Sequence, residues 1–251
     1  MKTINIKLLV LISVFTFLII ETSHSQRWKR TRYEIIYGIG TINCFTDLGG
    51  RNGNGGHFLS DIDIQGTRPI GMIGARYKIK ELLAVKLNLI FGFMRASDTY
   101  TQWDPRQNRN VISNTILFEN SMQVEYSIQK ERFGTRYTFS NLRRFNFRNV
   151  NTYIFAGVGG VFAAPSLRSD WSSNKNEAFH KYNFNFPFGF GLKYGINRRL
   201  AFGIDIGHRY TTSDYLEGFS DIHSKGKDSY IFIIFNFAYK LRTARSGLPK
   251  F

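Results

Sequence analysis

Between Tyr182 and Gly195 the chain reads YNFNFPFGFGLKYG. Every even position is large and apolar: Tyr182, Phe184, Phe186, Phe188, Phe190, Leu192 and Tyr194. Every odd position is small or polar: Asn183, Asn185, Pro187, Gly189, Gly191, Lys193 and Gly195. Successive side chains of a strand point to opposite faces, so this segment is a ribbon with one greasy face and one thin, wet face. The run exceeds the roughly 9–11 residues a tilted strand needs to cross a bilayer. Strands of soluble sheets are usually about 5–6 residues long. The greasy face is therefore expected to meet lipid, and the Gly, Asn and Lys face to line a narrow lumen. Arg199–Tyr210 repeats the pattern, with Leu200, Phe202, Ile204, Ile206, His208 and Tyr210 on one face and Arg199, Ala201, Gly203, Asp205, Gly207 and Arg209 on the other. A large soluble antiparallel barrel is the alternative reading.

The chain opens with Lys2 and Lys7, an apolar run from Leu8 to Ile20, and Ser23-His24-Ser25. A charged start, a short apolar centre and small residues at the −3 and −1 positions read as a secretory signal cleaved after Ser25. The run is too short for a spanning helix, which needs about 20 residues. No later stretch is apolar enough for one, so membrane residence has to come from strands. The mean hydropathy of −0.24 is compatible with this, because only half of each strand faces lipid. The net charge of +16 points to anionic neighbours: lipid headgroups, lipopolysaccharide or acidic proteins. Nucleic acid is disfavoured by the signal and by the lack of a nucleic-acid fold pattern. The single cysteine, Cys44, has no disulfide or zinc partner by spacing and reads as a small strand residue.

Eight strands are expected, near residues 33–45, 68–79, 82–96, 114–128, 150–164, 182–195, 199–210 and 228–241. Ile35, Tyr37 and Ile39 share the outward face of the first, and Leu83, Val85, Leu87, Leu89, Phe91 and Phe93 that of the third. The fifth is glycine-rich, and its facing is ambiguous; Pro165 is expected to open the loop after it. Long polar connections at 47–67, 97–113, 165–178 and 211–227 alternate with the short turns at Lys80-Glu81 and Asn197-Arg198. Long extracellular loops and short periplasmic turns are the pattern of outer-membrane barrels. Both termini are then periplasmic. The glycine-rich GGRNGNGG in the first loop lacks the helix and Gly-Lys-Ser/Thr signature of a phosphate cradle. Residues 129–149 break the pattern on the short-turn side. They carry Lys130, Arg132, Arg136, Arg143, Arg144 and Arg148, and the tail adds Arg242 and Arg245. A barrel does not need such a segment to fold. These residues are candidate contacts to an acidic partner, with a solvated loop near anionic headgroups as the alternative. Residues 1–25 thus read as signal, 26–241 as an all-β, eight-stranded antiparallel up-and-down transmembrane barrel, and 242–251 as a basic periplasmic tail.

Eight strands leave an interior just wide enough for side chains. Parity places Glu34, Arg76, Lys78, Lys86, Glu119, Glu125, Lys193, Asp205 and Arg209 inside. Buried charges of both signs have to be paired or hydrated, so these are expected to form a salt-bridged plug that fixes register rather than a conducting pore. Catalysis is not expected. His208 faces outward, but its two-on neighbour is Tyr210 rather than Ser, and Asp205 faces the other way, so no nucleophile–base pair forms. The other histidines, at 24, 57, 180 and 223, lack metal spacing. Asp61 and Asp63 alone are weak calcium ligands. No metal or cofactor is expected.

Three phrases carry a family resemblance: RPIGMIGARYKI at 68–79, the INRRLAFGIDIGHRYTTSDYLEGFSDI run at 196–222, and the closing RSGLPKF. Together with PFGFGLKYGI at 187–196 they resemble small outer-membrane barrels of the PorG type, associated with the type IX secretion system and gliding-type machinery. The likeness spans most of the chain after the signal. It implies a non-enzymatic outer-membrane component that docks periplasmic ring subunits, lipoprotein or soluble. An adhesion or envelope-stability barrel acting through its outer loops, with Trp103, Trp171 and Tyr215 as contacts, is the alternative. A lipid-modifying enzyme at His208 is the third.

Overall fold

The computed structural model describes residues 27–45, 66–97, 111–129, 150–168, 180–197, 199–213, 216, 218, 227–244 and 246–250. The signal segment, the acidic pair at 61 and 63, the loop aromatics Trp103, Trp171 and Tyr215, and the basic residues Lys130, Arg132, Arg136, Arg143, Arg144, Arg148 and Arg245 lie outside the described residues.

Eight strands form one antiparallel meander: β1 Tyr33–Phe45, β2 Arg68–Lys78, β3 Leu83–Ser97, β4 Ile112–Gln129, β5 Val150–Arg168, β6 Tyr182–Gly195, β7 Leu200–Thr211 and β8 Ser229–Thr243. Each pairs with the next, and β8 pairs with β1 from Tyr33↔Leu241 to Phe45↔Ser229, which closes the sheet into a barrel. Closure leaves no sheet edge along the wall, the condition for a β structure to sit in lipid. Among the described residues no helix is long and apolar enough to cross a membrane. The outer wall is apolar and open: Ile39 and Phe184 are each 72% exposed, and Leu87, Phe91, Val124, Phe188 and Phe237 stand beside them. A continuous surface of this kind is far beyond what a water-soluble monomer shows. Tyrosines mark its margins, with Tyr33, Tyr77, Tyr126 and Tyr239 near the rim that carries the chain ends and Tyr182 and Tyr210 near the other. Such aromatic girdles sit at headgroup level.

The facing of β5 follows from its partners. Odd residues point inward, with Tyr153 and Phe155 buried and Ile154 and Val158 exposed. Room for the two inward rings comes from glycines on the neighbouring strands. A Cβ at Gly191 would meet the Tyr153 ring and the Asp205 carboxylate, and one at Gly207 would meet the Phe155 ring. β5 also runs past the expected loop start. Pro165 pairs with Thr115 inside the strand, which ends at Arg168. The reason is edge chemistry. Ala163 donates its N–H to Lys181 on the β6 side, so the missing N–H of Pro165, two residues on, points to the same side, beyond the start of β6. Pro187 in β6 has the corresponding local cost. The β5–β6 ladder lapses between Ala156↔Phe188 and Gly159↔Asn185 and resumes in the same register.

The segment after β8 is folded. Pro249–Lys250 forms a short strand, β9, which doubles back on Arg242–Thr243. Gly247 takes the left-handed φ of 86° that this reversal needs. Tyr33 Oη donates to the Gly247 carbonyl at 3.2 Å and ties the hairpin to the barrel rim. Before β1 a short 3-10 helix spans Arg27–Thr31.

Candidate functional site

The distinctive chemistry of this chain lies inside the barrel. Of the nine charges that parity places inside, eight, Glu34, Arg76, Lys86, Glu119, Glu125, Lys193, Asp205 and Arg209, are buried, and Lys78 is partly exposed at the rim. They fall into two clusters.

The larger cluster lies toward the rim of the chain ends. The Glu34 carboxylate accepts from Arg76 Nη1 at 2.7 Å, pairs with Lys78 Nζ at 2.8 Å and accepts from Lys193 Nζ at 3.2 Å. Arg76 also pairs with Glu125, donating from Nη2 at 2.9 Å, while its Nε lies 2.6 Å from the other carboxylate oxygen without being aligned to donate to it. Its Nη2 reaches Tyr153 Oη at 3.3 Å, and Tyr153 in turn donates to Asp205. Lys86 Nζ closes the chain on Asp205 at 2.6 Å. Lys240 sits directly across from Glu34 and adds its charge to that carboxylate's surroundings. The cluster therefore draws on every wall strand in turn: Glu34, Arg76, Lys86, Glu125, Tyr153, Lys193, Asp205 and Lys240 from β1 to β8. Because strand parity decides which side chains face inward, a one-residue slip in any strand would remove its charge from the cluster.

The second cluster sits higher. Tyr230 Oη donates to Glu119 at 2.8 Å, and Asn185 Nδ2 donates to Tyr230 Oη at 2.9 Å. Arg209 Nε lies 3.8 Å from the other Glu119 oxygen, while its Nη1 donates to the Gly207 carbonyl at 2.7 Å. The guanidinium stacks on Phe232, 4.3 Å from the ring centre. Around and above it the lumen is apolar, with Ile42, Ile70, Met94, Leu117 and Val161 fully or almost fully buried. Leu216, from the β7–β8 connection, completes that layer. Its N–H donates to Asp228 Oδ2 at 2.8 Å and its carbonyl accepts from Thr115 Oγ1 at 3.2 Å. Thr211 fixes Asp228 from below, donating its hydroxyl to the Asp228 carbonyl at 2.6 Å. Cys44 packs, half-buried, against the same apolar layer.

Sequence parity did not single out Tyr153, Tyr230, Lys240 or Leu216. Tyr230 and Lys240 share the inward parity of β8, opposite to its exposed Phe235, Phe237 and Tyr239, so their facing was readable from alternation. Leu216 carries no such signal. Arg242, proposed from sequence as a contact, is exposed at the rim beside β9. His208 is on the outer wall, packed on Phe188 with ring centres 5.2 Å apart, while Asp205 is inside with Lys86 and Tyr153. Among the described residues no group of His, Cys, Asp and Glu could hold a metal ion.

Strands long enough to span a bilayer, an apolar outer wall and an ion-paired, filled interior define a small transmembrane β-barrel. The chain matches no family model and no curated protein. It is similar to several solved structures. One is Neisserial surface protein A, at 10% identity over 83% of this chain and 96% of that one, with a TM-score of 0.45. A second is Ail, the attachment invasion locus protein of Yersinia pestis, at 13% identity over 84% and 99%, with a TM-score of 0.42. A third is the outer membrane protein AlkL, at 15% identity over 88% and 95%, with a TM-score of 0.42. Likeness at this level carries no function across.

Proposed function

We propose that this protein is a non-enzymatic outer-membrane barrel that anchors a periplasmic assembly, of the type IX secretion kind, with the chain-end rim facing the periplasm. The observation that carries the reading is the inequality of the connections at that rim. Two of them, 79–82 and 196–199, are tight turns, whereas β4 and β5 are joined by residues 130–149. Closing a β-hairpin takes about 2–5 residues, so the longer segment is available for another task. Its basic residues, Lys130 to Arg148, suit an acidic protein surface. The secretory signal supports export, and the PorG-type resemblance supports the kind of machine. The filled lumen favours an anchor over a channel.

The test replaces residues 130–149 with a two-residue turn and purifies the tagged barrel in mild detergent from its own outer membrane. The reading expects the native barrel to bring down periplasmic ring subunits and the shortened one to lose them while keeping its folded mobility on gels. Equal recovery of those subunits by both would overturn it. Capture of surface proteins or glycans instead would move the function to the opposite loops.

A further inference from the structure

We infer that the outer face of the chain-end rim, at β1 and β2, is a binding site for the headgroup of an anionic glycerophospholipid. The site is built by residues on both sides of the start of β1. Tyr33 and Tyr77 are cross-strand partners on the lipid face, with ring centres 5.0 Å apart. Arg32 extends β1 by one step, its carbonyl accepting from Lys78 N at 2.9 Å. Its guanidinium is on the outside of the wall, since Nη1 reaches Tyr77 Oη at 3.4 Å and Cζ stands 4.9 Å from the centre of the Trp28 ring. Lys29 Nζ lies 5.8 Å from the same ring. One indole is thus flanked by two cations, at the height where the apolar wall gives way to the rim.

Three features select an anionic lipid. The stretch from Arg27 to Arg32 holds four cations and no carboxylate. The Arg32 guanidinium presents the planar fork of donors that suits a phosphate, and its Nη1 bond to Tyr77 Oη is long at 3.4 Å. The site is also continuous with the lipid-facing wall. Tyr37 and Ile73, cross-strand partners on the wall side of the Tyr33–Tyr77 pair, are exposed, and Leu248 of the C-terminal hairpin, which Tyr33 holds in place, is 64% exposed. Trp and Tyr rings sit at headgroup level in membrane barrels, and each nearby Lys or Arg strengthens the hold on an anionic headgroup several-fold. An acidic protein would meet the cations equally well, but it would not need the aromatic pair or the exposed aliphatic carbon beside them. In the orientation proposed above, the lipid is a phospholipid of the periplasmic leaflet.

Native mass spectrometry of the full barrel in detergent tests this, with phosphatidylglycerol and phosphatidylcholine of matched chains added in turn. The result is independent of barrel orientation and of any docking partner. Wild type is expected to retain one phosphatidylglycerol at about tenfold higher occupancy than phosphatidylcholine. Arg32→Gln with Lys29→Gln should bring the two lipids level, whereas Arg95→Gln, at the opposite rim, should leave the preference intact. Lys29→Gln alone, at an exposed position, keeps the test open if the double variant folds poorly, and should narrow the preference several-fold. Equal retention of both lipids by wild type, or an undiminished preference in the folded double variant, would overturn the assignment.

Discussion

Glu34→Gln is the most informative single change in this barrel, because one carboxylate answers several cations. The side chain of Glu34 is fully buried and meets Arg76 at 2.7 Å, Lys78 at 2.8 Å and Lys193 at 3.2 Å. The amide keeps the shape and removes the charge. Removing one partner of a buried pair typically costs about 3–5 kcal/mol, because the other charge is left buried and uncompensated. Here the cations do not suffer equally. Arg76 keeps its Nη2 hydrogen bond to Glu125 at 2.9 Å and its ion pair with that carboxylate. The Lys78 side chain is 16% exposed and can turn toward water, whereas that of Lys193 is only 4% exposed. The loss should therefore fall near the lower end of the range, about 3 kcal/mol. It is measured as the shift in urea unfolding of the barrel in lipid vesicles, followed by tryptophan fluorescence. Adding Lys193→Met should recover about 1–2 kcal/mol, since the second change removes the cation that the first one strands. Glu81→Gln, at an exposed turn, is the control and should change stability by less than about 0.5 kcal/mol. A Glu34→Gln loss no larger than that of the control, or a double variant less stable than the single, would refute the reasoning.

Three further changes probe the wall and its filling. Gly191→Ala places a methyl against the Tyr153 ring and within 2.6 Å of Asp205 Oδ1, so a loss of about 1–3 kcal/mol is expected, whereas Gly71→Ala, whose nearest neighbour would be 4.0 Å away, should be near neutral in the same unfolding assay. Ile39→Arg puts a cation on the lipid face midway along β1 and should cost about 2–4 kcal/mol in vesicles, with a far smaller effect in a detergent that lets the side chain reach water. Leu216→Ala removes the side chain that completes the upper apolar layer and should cost about 2–5 kcal/mol, and planar-bilayer recordings of the same variant should remain free of steady, large conductance because the two charge clusters still fill the lumen below.

Much of this architecture was legible in the sequence because a strand has a period of two and a lipid-facing wall tolerates few exceptions. Seven strands show which face is which through the contrast between residues such as Phe188 and Gly189, or Leu87 and Lys86. β5 does not, because Gly157, Gly159, Gly160, Ala163 and Ala164 make both of its faces small. Its facing is set by what lies opposite: Tyr153 and Phe155 point to the side where Gly189, Gly191 and Gly207 leave space. Alternation supplied the membership of the charge clusters but not their partners. The Glu34–Arg76 pair follows from the β1–β2 register, since the two residues are cross-strand neighbours. The Lys193–Glu34 and Arg76–Glu125 pairs join strands that are not neighbours in the sheet, and no local pattern encodes them. Leu216 was hidden for a related reason. Its burial depends on Thr115 and Asp228, which come together only when the barrel closes.

The positions that carry the family resemblance bear on what it can mean. In the run from Arg209 to Asp221, the described residues have structural tasks. Arg209 faces Glu119, Thr211 holds Asp228, Ser213 accepts the Asp228 N–H at 3.0 Å, and Leu216 seals the upper lumen. RPIGMIGARYKI likewise contains Arg76, which binds two carboxylates, and Gly74, where a Cβ would crowd Asn88. A chain that must close this barrel around these charges has reason to keep such residues whatever it docks. The interior of this barrel therefore accounts for these motif residues. A choice of partner would have to reside in what the interior does not constrain: the connection at 130–149 and the exposed rim around Arg242. That is why shortening the connection, rather than changing the motif, separates an anchor for a secretion assembly from a barrel with another task.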